Sequence, residues 1–227
     1  MLQTYLSQVW TIFSKDLRAE LRTKEALNAS LAFSVVILLL LSFAFEASEQ
    51  STSISGGLLW LAYSFAGALA LNRSFARELQ NDCLDALIAS PAPSSALFLG
   101  KALANYALLL VVELIALGVF IIFYDAHLSG NFLPLFGVML LATWAMVVIG
   151  TLFSALTVNL HMRELMLPVL VYPLLIPALM AAMLLTSTLL SGEAITGDNW
   201  IWVRVLVAFD IVFTALGVVF IDTVLVG

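Results

Sequence analysis

Glu113 and Asp210 each fall deep inside a long apolar run, where a charged carboxylate facing lipid costs at least ~2–3 kcal/mol. Glu113 lies roughly 16 Å along a helix that crosses an about 30 Å hydrocarbon core. Such a group must face protein, either protonated or paired. Asn105 stands two turns earlier on nearly the same face, and Arg204 lies nearer one end of the run that holds Asp210. Intramembrane polar groups of this kind serve a conformational switch or substrate path, or form buried contacts between helices, and both readings stay open. The chain carries no Gly-x-Ser-x-Gly or His-Glu-x-x-His, and its single cysteine, Cys83, excludes an internal disulfide and any multi-cysteine metal site. Gly100-Lys101 is followed by Ala102 and opens an apolar run, so it is not the phosphate-cradling Gly-x-x-x-x-Gly-Lys-Ser/Thr loop. No catalytic residue is expected. If ATP drives this protein, the hydrolysing site belongs to another chain.

The elements that must position these residues are membrane helices. Of 227 residues, 63% are hydrophobic and only 11% charged, with a mean hydropathy of +1.09. A soluble domain needs far more charged surface. The expected fold is all-α: one transmembrane domain over 1–227 with six spans at about 29–45, 55–72, 101–124, 132–157, 166–190 and 200–225. The first apolar run comes too late for a secretory signal and is expected to remain as a span. Ahead of it, residues 1–28 contain an amphipathic helix at 4–24. Leu6, Val9, Trp10, Phe13, Leu17 and Leu21 form one stripe, with Lys15, Asp16, Arg18, Glu20 and Arg22 opposite. It reads as a helix lying in the membrane interface, or as one packed on a soluble neighbour. Trp60, Trp200 and Trp202 are expected in an aromatic belt. Pro168, Pro173 and Pro177 should kink or break the fifth span.

Basic residues set the orientation. Lys15, Arg18, Arg22, Lys24, Arg73, Arg77, Lys101 and Arg163 fall on one side of this arrangement, and only Arg204 departs from it. The loops at 46–54, 125–131 and 191–199 hold acids but no Lys or Arg. By the positive-inside rule both termini and the 73–100 loop are cytoplasmic. That loop is the only long one. Asp82 can cap a short helix there, with Asp85 favouring its N-terminal dipole and Leu84, Leu87 and Ile88 forming an apolar stripe before Pro91 and Pro93 end it. A second helix start at Ser94 leads into the third span. The short helix, at 83–90, can enter a partner's groove or pack back on its own bundle.

Arg77-Glu78, Leu84-Asp85-Ala86-Leu87, Ser90-Pro91 and Gly100-Lys101 resemble the first cytoplasmic loop of exporter-type ABC permeases, which docks on an ATPase subunit as a coupling helix. Lys15 to Glu25, Gly57 to Trp60 and Leu71 to Phe75 narrow the resemblance to CcmB, the B subunit of the cytochrome c maturation haem-exporter system. One departure is Asp82, where such permeases usually carry Gly. The resemblance implies a permease-like subunit of the bacterial inner membrane, present as two copies. Its partners would be a CcmA-like ATPase, a haem-handling CcmC-like subunit and a small CcmD-like subunit, with no nucleic acid involved. Arg77, Glu78, Asp82, Leu84, Asp85, Leu87, Ile88 and Pro91 would form the ATPase-coupling interface. ATP turnover would be tied to haem delivery or to release of a haem-loaded periplasmic chaperone.

The family's cargo directs attention to axial ligands, but the two histidines, His127 and His161, fall in loops on opposite faces of the membrane. No haem or ATP is expected to bind this chain as a resident cofactor, and His127 is the one outer candidate for touching haem. Two other functions fit the same pattern: an exporter permease for a drug or lipid-linked glycan, and a non-transporting scaffold that passes force to a neighbour.

Overall fold

A computed structural model describes residues 2–44, 49–75, 78–79, 83, 90, 92–124, 132–157 and 163–226. Among them the chain is helical with no strand. The helices are α1 (Leu2–Thr23), α2 (Glu25–Ala44), α3 (Glu49–Asn72), α4 (Ser94–Tyr124), α5 (Phe132–Thr157), α6 (Arg163–Leu190) and α7 (Trp200–Val226), with one 3-10 turn, Gly197–Asn199, before α7. Five of them, α2 and α4 to α7, hold segments long and apolar enough to cross a membrane. Helix α3 opens on the polar run Glu-Gln-Ser-Thr-Ser and is less apolar, yet its 24 residues span about 36 Å. It packs between α2 and α6, with Leu59, Trp60, Ala62 and Tyr63 fully buried. The protein is a polytopic membrane protein.

Its solvent is visible on its outer surface. Phe43 is 84% exposed, Ile122 78% and Leu133 78%, an apolar exterior that suits lipid and not water. Of those five, α5 is the most buried, and it touches α3, α4, α6 and α7. Buried side chains form three clusters. Leu38, Trp60, Tyr63, Phe120 and Leu206 belong to one, Leu71, Val112, Met146 and Leu175 to a second, and Ile12, Phe75, Phe98 and Ile221 to a third, at the end where α1 docks. Small residues permit the close crossings: a Cβ on Gly67 would collide with Met146, and one on Gly56 with the Met183 carbonyl.

Two expectations need correction. Of the kink or break expected at the three prolines of α6, the break does not occur, because they lie inside one uninterrupted helix; a bundle helix can tolerate proline where its neighbours compensate the lost bonds. It ends instead at Gly192, with φ 81°, where Glu193 N–H donates to the Thr188 carbonyl and Gly192 N–H to that of Leu189. Trp60 is no belt residue. It is wholly buried, donates to Thr186 at 2.9 Å and meets Tyr63 edge-on. Trp200 is half exposed at the start of α7, as an interfacial residue would be.

Candidate functional site: an ionic joint and a buried carboxylate

Helix α1 lies against α4 because Gly100 leaves room for it. A Cβ at that position would sit 2.7 Å from Ile12 Cβ and 3.0 Å from the Val9 carbonyl oxygen. The next residue, Lys101, is 1% exposed. Its ammonium donates to Glu78 Oε1 at 2.6 Å, to the Ser74 carbonyl at 2.9 Å and to Asp16 Oδ2 at 3.1 Å. An ammonium has three protons, and all three are used. The ring centroid of Phe75 lies 4.8 Å from the nitrogen. Lys15 completes the cluster, 3.0 Å from Asp16 Oδ1 and 3.2 Å from Glu78 Oε1. Two cations face two carboxylates, so the joint is neutral as a unit. Burial opposes the Lys15 charge, but Asp16 and then Glu78 outweigh it, and its pKa is raised. Three pieces of chain meet here: α1, the segment leaving α3, and α4.

Neighbouring polar groups extend the joint. Asn105 donates to the hydroxyls of Ser74 at 2.8 Å and Thr151 at 3.0 Å, which ties α4 to α5 and to the same segment after α3. Glu20 accepts from the backbone N–H groups of Ala26 and Leu27 at 2.8 and 3.0 Å. It thereby supplies acceptors for the N-terminal donors of α2 from the preceding helix. The link between those helices is one residue, Lys24, whose φ of 56° is left-handed and costs a non-glycine residue about 1–2 kcal/mol. Arg73 and Glu25 pair at 3.0 Å across the ends of α3 and α2. Arg73 lines a polar cleft together with Asp16, Glu20, Glu78, Lys101 and Asn105.

Glu113 is buried, as expected. Thr143 on α5 donates to its Oε2 at 2.5 Å, Tyr63 on α3 donates to its backbone carbonyl at 2.9 Å, and Oε1 has no protein partner among the described residues. Asn105 does not share that site, despite lying on nearly the same helix face. Asp210 is also buried, with Oδ1 unpartnered among the described residues, while Arg204 is exposed.

Of the expected coupling residues, Glu78 turns inward onto Lys101; Cys83, at the start of the expected short helix, is exposed. Arg77, Asp82, Leu84, Asp85, Leu87, Ile88 and Pro91, nearly all of the 83–90 helix, and both His127 and His161 lie outside the described residues. In sequence, Lys101 stands at a loop end and Lys15 and Asp16 on the polar face of an amphipathic helix. The signal for their meeting was a lysine seven residues into a helix that opens at Ser94, preceded by a glycine. Among the described residues no group of three His, Cys, Asp or Glu could hold a metal. The arrangement is suited to transmitting movement between helices.

The family profile described as "CcmB protein" matches residues 7–224. The chain is 34% identical to "Heme exporter protein B" of Rhodobacter capsulatus over 70% of its own length and 73% of that protein. It is 32% identical to the protein of that name from Paracoccus denitrificans, over 69% and 72%. The Escherichia coli K12 protein of the same name is 30% identical over 43% of this chain and 44% of its own. A profile that spans nearly every helix, α1 and its joint with α4 included, settles the family: the chain belongs to the CcmB proteins.

Proposed function

We propose that this chain is the membrane subunit through which a CcmA-like ATPase drives haem delivery for cytochrome c maturation. Its relatives are named as haem exporters, and haem is the cargo of the complex. One observation carries the mechanical part of the reading. The segment leaving α3, which leads into the 73–100 loop, is clamped by Lys101 to α4 and by Lys15 to α1, while Asp16 joins α1 to Lys101. A push on the loop when the ATPase pair closes would therefore reach two helices at once. In this reading Leu84, Asp85, Leu87 and Ile88 receive it, and Glu78 anchors the segment that leads into the loop. The chain works as two copies in the bacterial inner membrane with both termini cytoplasmic, beside CcmC-like and CcmD-like subunits.

Within this reading, transmission of force fits better than a path through the chain. The interior is filled by Trp60, Tyr63, Phe120, Leu135 and Met139, and Glu113 is engaged by Thr143 on α5. The test is co-purification of the tagged chain with its complex intact. Recovery of an ATP-hydrolysing subunit is expected, and its absence would overturn the assignment. Leu87→Asp should release that subunit with insertion unchanged; undiminished association would move the docking surface elsewhere.

A further inference from the structure

The acids and bases of α1 are sorted by the fold. In sequence they alternate and nearly cancel, from Lys15 to Glu25. In the structure every acid of that stretch has a partner within the chain, although Glu25 itself stays exposed. Asp16 spends its two oxygens on Lys15 and Lys101, Glu20 accepts from the first turn of α2, and Glu25 pairs with Arg73. Arg18, Arg22 and Lys24 are left exposed, with no ion pair among the described residues. Next to them an apolar ridge also faces out: Leu6 is 57%, Trp10 67% and Leu21 53% exposed, with the Phe13 ring tilted against Trp10, centroids 5.1 Å apart. The face that α1 buries is a different one, through Val9, Ile12 and Glu20.

We propose that the outward sector of α1 is a binding surface for anionic phospholipid. Leu6, Trp10 and Leu21 seat in the boundary between headgroups and acyl chains, and Arg18, Arg22 and Lys24 hold the phosphates above them. Helix dimensions and amphipathy place α1 flat in that boundary, and long basic side chains reach the headgroup layer while their stems stay apolar. Charge complementarity selects the occupant, since three exposed bases beside an apolar ridge match an anionic bilayer surface, where each base is worth roughly fivefold in attraction. The surface does not depend on the ATPase assignment.

The test uses the full chain in nanodiscs, with Cys83→Ser and a bimane label on Ser14→Cys, one turn from Arg18. The discs carry either phosphatidylglycerol or phosphatidylcholine bearing the same nitroxide, at equal fraction. Quenching several-fold stronger by phosphatidylglycerol is expected, falling to equality in the Arg18→Gln/Arg22→Gln/Lys24→Gln variant. Equal quenching by the two lipids in the parent protein overturns the proposal. So does quenching by neither, which would mean that water or another protein covers the ridge. A phosphatidylglycerol preference that survives the triple variant overturns the assignment to these bases.

Discussion

Lys101 is held by three acceptors in a nearly dry setting, so its value is best judged by removal. Lys101→Met leaves Glu78 and Asp16 facing each other, with Lys15, itself half exposed, as their one remaining cation in the cluster. Breaking a buried pair from one side costs on the order of 3–5 kcal/mol. The variant should unfold earlier in detergent and expose α1 to trypsin. Lys101→Met/Glu78→Gln should recover part of the loss, because the uncompensated carboxylate is gone; a double variant no better than the single would remove the charge argument. Glu113 calls for a gentler change. Glu113→Gln keeps the size of the side chain and an acceptor for Thr143, so insertion and assembly should persist. If the carboxylate biases helix movement, cytochrome c maturation should fall by roughly 2- to 30-fold, the range of mutational effects on coupling. Wild-type activity would make Glu113 a packing contact. Its burial was legible from hydropathy alone, because a carboxylate cannot face lipid cheaply. Its partner Thr143 was not, because register between α4 and α5 is fixed by packing that no single helix records.

The contact of α1 with α4 rests on a missing side chain as much as on charges. Gly100→Leu would drive its Cβ into Ile12, and overpacking of this kind typically costs about 1–3 kcal/mol. The outcome should be a detached α1 with the bundle intact, seen as faster proteolysis within residues 2–23 and an unchanged core. Ile12→Ala in the same chain should restore protection, and failure of that rescue would place the contact elsewhere. The helices themselves were largely readable: α4 opens at Ser94 and α1 carries its stripe at three- and four-residue steps. What the stripe does was only half readable. Leu6, Trp10 and Leu21 face outward while Val9 faces α4, since a helix resting on a bundle and a membrane together has two apolar directions and one water direction. Periodicity reports their sum. Trp60 misled for a related reason: an aromatic near a span end reads as interfacial, but a hydroxyl on a neighbouring helix, Thr186, gives its N–H a buried partner.

At the scale of the whole molecule, the bilayer converts charge into orientation. The structure gathers Lys15, Arg18, Arg22, Lys24, Arg73 and Lys101 around the α1 end of the bundle, and an excess of Lys and Arg in short loops marks the cytoplasmic side. Two consequences follow for one residue. Cys83 is the chain's single cysteine and is exposed, so it reports on its own compartment without competition. An impermeant maleimide should modify it in inside-out membrane vesicles and leave it untouched in intact spheroplasts, with permeabilised cells giving full modification as the control. The same measurement bears on mechanism. A loop that receives a push from an ATPase must lie where ATP is made available, and Glu78 sits five residues from Cys83, with the Cys83 N–H donating to the Glu78 carbonyl at 2.9 Å. Modification of Cys83 only from the outer face would turn the bundle over. Lys101, Glu78 and the clamp on α1 would then stand on the periplasmic side, beyond the reach of any ATPase.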